Sequence, residues 1–363
     1  MYRSNNDCFI LRGTTMNNLK DIIKVVESLS AAELETLSSE VLKLLKTSPD
    51  VAKNNTEELH NCRRCGSHAI LKYGKDKNGK QRYKCKNCNA IFYATSYSVI
   101  SKSRHDLSVW KRYIILLLKG ASLEECDKEC LISVQTAFTW RHKILHALQS
   151  DQSNRMLGGV VEIDDMFFSV SYKGNHKKSK NFVMPRKPYK RGTDNTGVTG
   201  NMACVLCACE RQGQAYAEVT GIGSVNVEQL NYAFNNRLLE DSIALSDKAY
   251  SYKNYFSNTS IELIQLASHS IPKNQSSPPE VKGSYHIQNV NNFHRRFRRT
   301  MKHYNGVATK YLNHYVNLFV WIENHKKIDE FSLPSQMFSQ IYEKNTYISH
   351  ENIVAMPPIP KVA

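Results

Sequence analysis

Apolar residues recur along this chain with two different periods, and the changeover near residue 158 divides it. Before that point the spacing is helical. Residues 17–47 read as helix. Ser30 and Glu33 form a capping box that opens a run with Leu34, Leu37, Val41, Leu44 and Leu45 on one face. Such a segment is either a small docking or dimer element or a packed helical arm. Residues 48–60 are a polar linker. Over 106–148, Val109, Tyr113, Leu116 and Leu117 line one helix, which stops at Gly120. Ser122 is an N-cap for a short second helix. After a break near Leu131 and Ile132, Ser133 caps a third, VQTAFTWRHKILHAL. Two short helices and a longer third carrying Thr136, Thr139, Arg141, His142 and Lys143 predict a helix-turn-helix-like domain over 104–150.

From Gly158 onward the pattern is that of strands. VVEIDDMFFSVS is apolar and β-rich. NMACVLCACE and QAYAEVT follow as two more strands, joined by a hairpin turn at Arg211, Gln212 and Gly213. Next come a helix, VNVEQLNYAFNNRLL, and a short buried strand, SIALSD. A second helix, Tyr250–Phe256, then precedes the strand IELIQLA. Three antiparallel strands, a helix and then parallel strands is the order of a ribonuclease-H-like α/β core, a mixed sheet with flanking helices. After residue 328 the chain ends in AMPPIPKVA, which reads as an extended tail.

Cysteine spacing adds a third unit. Cys62 and Cys65 form one C-x-x-C pair and Cys85 and Cys88 another. Two such knuckles make a tetrahedral Zn²⁺ site that organises a small ribbon over 61–95. Asn78 and Gly79 between them give a hairpin. The other six cysteines, Cys8, Cys126, Cys130, Cys204, Cys207 and Cys209, read as reduced thiols of a cytosolic protein. Cys204 and Cys207 fall on opposite faces of one strand, which argues against a metal site there.

Charge then narrows the partner. With 49 Lys+Arg against 33 Asp+Glu, the 363-residue chain carries a formal +16, which points to a polyanion, above all nucleic acid. No stretch approaches the roughly 20 apolar residues of a spanning helix, and the first residues lack the apolar core of a secretory signal. A cytoplasmic, nucleoid-associated protein with no membrane partner is expected. Arg141 and Lys143 on the third helix are then candidate DNA contacts. Residues 172–191 hold a basic insertion with Lys177, Lys178, Lys180, Arg186, Lys187, Lys190 and Arg191. It reads as a solvated loop, or as a clamp on DNA backbone, with Tyr172 and Tyr189 available to stack on bases.

The acids suggest chemistry. Glu162 and Asp164 share one face of an apolar strand, and Asp165 points to the other. A carboxylate there pays for desolvation unless a cation compensates. Asp247 closes the strand IALSD, at the end where α/β folds place ligand-binding groups. Two carboxylates so placed can share Mg²⁺ or Mn²⁺, and a two-metal site suits phosphodiester displacement. The segment NVNNFHRRFRRTMKHY projects as a helix with an apolar stripe of Phe293, Phe297, Met301 and Tyr304. Asn291, His294, Arg295, Arg298 and Lys302 form a polar stripe on another face. Asn291 and His294, one turn apart, can look into the same site, with basic residues including Arg296 and Arg299 behind them.

These residues together resemble a known family, the bacterial insertion-sequence transposases with an N-terminal zinc ribbon and a DDE-type ribonuclease-H-like core. The matching positions are the four ribbon cysteines, VEIDD ending at Asp165, LSD ending at Asp247 with Ala249 and Tyr250, and YHIQNVNNFH from Tyr285 to His294. The run GVATKYL from Gly306 to Leu312 and the aromatic helix from Tyr315 to Trp321 complete them. The resemblance covers about residues 60–325. It implies that Asp164 and Asp247 are the first two metal-site acids. The third position falls on His294, with Asn291 one turn earlier, a departure from strict Asp-Asp-Glu. Glu280 and Glu323 are the substitute carboxylates, ranked below His294. The organisation expected along the chain is helical arm and linker 1–60, ribbon 61–95, helical domain 104–150, nuclease domain 156–327, tail 328–363. The resemblance implies binding of terminal inverted repeats, nicking that frees 3′-OH ends, and their joining to target double-stranded DNA by a homodimer or larger assembly. A catalytically silent DNA-binding descendant and a structure-selective nuclease are the rival readings.

Overall fold

The structure is a computed structural model, and it describes residues 19–38, 59, 61–153, 155–174, 202–211, 213–266, 285–304 and 306–358. The seven basic residues of the predicted clamp, together with Glu280, Cys8 and Tyr189, lie outside the described residues.

Two short helices come first, α1 (Leu19–Glu27) and α2 (31–38). Half of the predicted capping box is present: the Ser30 amide donates to Glu33 at 2.9 Å, while the Ser30 hydroxyl also donates to the Glu33 carboxylate, at 2.6 Å.

The ribbon is a three-stranded antiparallel sheet of β1 (Ile70–Lys75), β2 (Gln81–Cys85) and β3 (Ile91–Phe92). Its hairpin turns at Gly79, where φ is +79° and glycine is favoured. Its core is only Cys62, Tyr83, Cys85 and Phe92 with a few partly buried neighbours. So little apolar surface needs a staple.

The helical triplet follows as α3 (Leu107–Leu118), α4 (Leu123–Cys130) and α5 (Val134–Ser153). Ser122 and Glu125 make a capping box on α4. The Ser133 hydroxyl accepts from the Thr136 amide at the start of α5. Leu131 turns the chain between them in a left-handed conformation and is 89% exposed.

The nuclease core is a five-stranded sheet in the order β6-β5-β4-β7-β8: β4 (Val160–Ser169), β5 (Met202–Glu210), β6 (Ala215–Ile222), β7 (Ile243–Ser246) and β8 (Glu262–Gln265). β4 pairs antiparallel with β5 and parallel with β7. This is the predicted ribonuclease-H-like arrangement. On one face, α6 (Val227–Phe234) and α7 (Tyr250–Phe256) pack with Val161 and Ile163. On the other, α8 (Gln288–Lys302) and α9 (Leu312–Asn324) pack with Met166, Val205 and Cys207. Cys204 and Cys207 fall in opposite cores, as strand alternation requires.

α9 is buried nearly all round, its polar His314 and Asn317 included, so it packs on both sides. Its Val316, Phe319 and Val320 cover the sheet, while Tyr315, Leu318 and Trp321 enter the core of the triplet. The GVATKYL run makes the turn into it: the Thr309 amide donates to Ser171 O, and its hydroxyl accepts from the Ser171 amide, both at 2.8 Å.

The C-terminal segment differs from expectation. The chain predicted as an extended tail forms α10 (Leu333–Glu343) and α11 (His350–Val354). Met337, Ile341, Ile348 and Ile353 are buried in the core of the triplet. The same segment reaches the ribbon, where Arg63 Nη1 donates to Glu343 O, and Asn345 Nδ2 donates to Arg63 O at 2.7 Å.

Candidate active site

β4 places two adjacent aspartates on opposite sides of the sheet. Asp165 accepts from the Tyr252 hydroxyl of α7 at 2.8 Å. Asp164 faces α8, where its Oδ2 lies 3.6 Å from His294 Nδ1. The parallel pairing of Glu162 with Leu245 brings Asp247, two residues beyond Leu245, level with Asp164. The Asp247 loop is held locally. Its Oδ1 accepts from the Ala249 amide at 3.0 Å, and its carbonyl accepts from Gln265 Nε2 at 2.8 Å.

Burial, with the charges of Asp165 and Asp247, pushes the Asp164 carboxyl up to about 7; Arg298 works in the opposite direction. Burial also raises Asp165. The His294 imidazole is pushed down to about 3 by burial and by Arg298, so it is neutral at pH 7. Its Nε2 is buried and has no hydrogen-bond partner.

These observations test the fit of a divalent cation. A crowded, desolvated carboxylate and an orphaned neutral imidazole nitrogen are what a cation would satisfy. The donor set fits Mg²⁺ or Mn²⁺ through Asp164 and Asp247, with His294 as the softer neighbour. The three are not drawn into one tight cage. Among the described residues, the ribbon cysteines are the group of three or more His, Cys, Asp or Glu whose ligand atoms all lie within 4.8 Å of one another.

That ribbon group fits zinc closely. Cys62 and Cys88 sulfurs are 3.7 Å apart, and those of Cys65 and Cys85 are 3.6 Å apart. A tetrahedron with Zn–S near 2.3 Å has edges of about 3.8 Å.

Glu162 does not join the acidic site. It is fully buried and caps α8 from across the sheet. Its Oε2 accepts from the Asn289 and Val290 amides at 2.7 and 3.1 Å, and its Oε1 accepts from Asn289 Nδ2 at 2.7 Å. Arg211 and His286 lie at 3.7 and 3.4 Å. A carboxylate at two orphan amides of a helix N-terminus is strongly favoured. The sequence signal for this role was present, an acid on the Asp164 face of a buried strand, but its partner was not readable.

Asn291, Arg295, Arg298 and Lys302 are exposed along α8, flanking buried His294. Glu323, one of the substitute carboxylates, is committed elsewhere, to a two-pronged pair with Arg296 at 2.8 and 2.7 Å. Arg141 is a correction. It is 2% exposed, donates to Ala121 O at 2.6 Å, and lies against Tyr304, so its guanidinium is a strut between helices and does not reach a ligand. Lys143 remains half-buried near the surface, 4.8 Å from the Tyr347 ring.

Residues 156–324 match the family model described as ISXO2-like transposase domain. This part of the chain is similar to an ISXO2-like transposase domain. No curated protein matches the chain. Among solved structures, the Mos1 mariner paired end complex with Mn has 13% identity and a TM-score of 0.25, over 68% of this chain and 81% of that one. A pre-cleavage Mos1 transpososome has 12% identity and a TM-score of 0.19 over the same shares. It is the strand order and connectivity that make the transposase domain ribonuclease-H-like. No helix among the described residues is long and apolar enough to cross a membrane.

Proposed function

We propose that this chain is an active DNA transposase whose domain order is that read from the sequence, with the C-terminal segment joined to the helical domain. Support comes chiefly from Asp164, a desolvated carboxylate level with Asp247 and beside His294, whose Nε2 has no partner, inside a region that matches a transposase domain. Asp164 and Asp247 are the residues that hold Mg²⁺ or Mn²⁺, which when bound supplies Lewis acidity toward a phosphodiester. His294 stays neutral and offers a lone pair without adding charge. Asn291 and Arg298 sit on the exposed rim one turn either side, placed to orient the phosphate, with Arg295 and Lys302 along the backbone. Glu162 keeps α8, and so His294, at a fixed height over β4.

The reaction is two in-line displacements. Water attacks phosphorus at the element end and the P–O3′ bond breaks, leaving a 3′-OH. That hydroxyl then attacks a target phosphodiester, forming one P–O bond as another breaks. The ribbon, with zinc held by Cys62, Cys65, Cys85 and Cys88, and the helical triplet recognise the terminal inverted repeats. The seven basic residues at 177–191 clamp double-stranded DNA. Two ends must meet, so a homodimer or larger assembly does the work, in the bacterial cytoplasm at the nucleoid.

A silent DNA-binding protein is the second reading. It is favoured by a histidine in the third position and by the absence of a tight three-ligand cage around Asp164 among the described residues. The test is cleavage and strand transfer by the purified protein, in Mg²⁺ or Mn²⁺, on a plasmid carrying the DNA that flanks its gene. Nicked 3′ ends and joined products, lost in Asp164→Asn, are expected. Specific binding with no cleavage in either metal would leave the silent reading standing.

A further inference from the structure

A cationic cavity of about 230 Å³ lies between the loop that follows the ribbon and the N-terminal half of α5. Lys102, Arg104 and His105 line it from the loop, and Thr136, Thr139 and Lys143 from the helix. Its floor is the stacked pair Trp110 and Trp140, with ring centroids 3.7 Å apart. Trp110 Nε1 donates to the Ser103 hydroxyl at 3.0 Å, which fixes the loop to the floor.

The two lysines are brought together against their mutual repulsion. Lys102 has φ +60°, a left-handed conformation that costs a non-glycine residue about 1–3 kcal/mol when the surroundings enforce it. The result is that Lys102 Nζ lies 5.3 Å and Lys143 Nζ 4.8 Å from the centre of the same Tyr347 ring. Burial, and then the charge of Lys102, hold Lys143 below the usual lysine range. Glu351 is the carboxylate that acts on both lysines, one negative charge against Lys102, Lys143 and Arg104. The C-terminal segment closes the rim. His350 is within hydrogen-bonding distance of Gln135 Nε2 and Thr139 Oγ1, at 2.9 and 3.0 Å, and the Tyr347 amide donates to Tyr97 O at 2.9 Å.

We propose that this cavity is a phosphate site that seats one backbone phosphodiester of DNA lying along the N-terminal half of α5. The proposal rests on the DNA-binding part of the reading above. Paired ammonium groups and hydroxyls suit a phosphate oxyanion, and they carry no pattern that would discriminate base edges. The site positions the duplex and does not read it. Because the Tyr347 ring lies against both lysines, their arrangement depends on the docked C-terminal segment.

The test uses the full-length protein and a labelled duplex of the DNA flanking its gene, across a salt series. Wild type is compared with Lys102→Gln/Lys143→Gln and with Lys102→Arg/Lys143→Arg, matched for zinc content and melting temperature. Each phosphate contact steepens log K against log salt by about 0.9. The Gln pair is expected to lower that slope by about 0.9 and to weaken all duplexes alike, while the Arg pair keeps the wild-type slope. Wild type that binds DNA with a slope the Gln pair leaves unchanged overturns the proposal and spares the transposase reading. Equal loss in both variants overturns it too, because a structural role is then sufficient. Quenching of Trp fluorescence by inorganic phosphate, with the DNA slope unchanged, reassigns the cavity to a small free anion. A wild type that binds no duplex removes the DNA-binding reading and this inference with it.

Discussion

Glu162 and Asp164 sit two residues apart on one face of β4 and serve opposite purposes. Glu162 has its charge answered by two helix amides and an asparagine, whereas burial and the charges of Asp165 and Asp247 outweigh the one backbone amide at Asp164 and leave it suited to a cation. Glu162→Gln exchanges charge-assisted bonds for neutral ones and is expected to destabilise the protein by about 1.5–3 kcal/mol. Turnover should fall more than apparent substrate affinity, as single-turnover nicking at saturating and sub-saturating DNA would show. Asp164→Asn should abolish nicking and yet raise the metal-free melting temperature, because it removes a buried, uncompensated charge. A second buried cluster gives a pH prediction. His142 and His314 share a 2.9 Å Nδ1–Nδ1 contact between α5 and α9, and burial holds both below the ordinary histidine range, His314 at about 3. The unfolded chain therefore binds protons that the fold refuses. Stability is full above about pH 6.5 and falls as pH drops toward 3, at pH 5 by about 2 kcal/mol from His314 alone, with His142 adding in the same direction. Urea melts at pH 7.5, 6 and 5 check this, and His314→Gln should remove part of the slope. Residue identity made Asp164 and Asp247 stand out as candidates, because an acid in an apolar strand or at its end is conspicuous; the fold sets His294 beside Asp164, and their joint role is the proposal above. Residue identity misled at Arg141, since a helix pattern names the basic residues without saying which of them packs inward.

The helical triplet and the three-antiparallel-then-parallel strand order were legible because their caps and periods are local. Ser122 with Glu125, Ser133 with Thr136 and the glycine at 120 act within a few residues. The C-terminal helices were not, because each is short and its apolar residues make sense only against α3 and α5. The run AMPPIPKVA reads as extended, and nothing local marks the helices before it. In the fold this segment acts as a clasp, holding Arg63 of the ribbon, Tyr97 of the connecting loop and Gln135 of α5. Deleting residues 330–363 exposes the surfaces of Trp321 and Ile144 and withdraws Met337, Ile341 and Ile353 from the core. At about 2–5 kcal/mol per large buried aliphatic lost, the truncated triplet should not fold cooperatively. Circular dichroism and limited proteolysis near residue 100 would report it, and a truncated protein melting like the full chain would refute the clasp.

At the scale of the whole molecule two kinds of stability coexist. The ribbon has a four-residue core and depends on its sulfur cluster, whereas the triplet and the sheet are bound through α9. Chelating zinc should therefore melt the ribbon alone, leaving one calorimetric transition for the remaining body in place of separate helical and nuclease transitions. With a formal +16, binding to any duplex should also weaken steeply with salt. The double burial of α9 reaches further than stability. A helix cemented on both faces leaves no hinge, so under the proposed function DNA gripped by the triplet would meet the carboxylates at one set distance, as work is held in a jig. Such a protein would measure length. Inserting a few base pairs between the gripped sequence and the cut site should stop cutting outright and not move it along the strand.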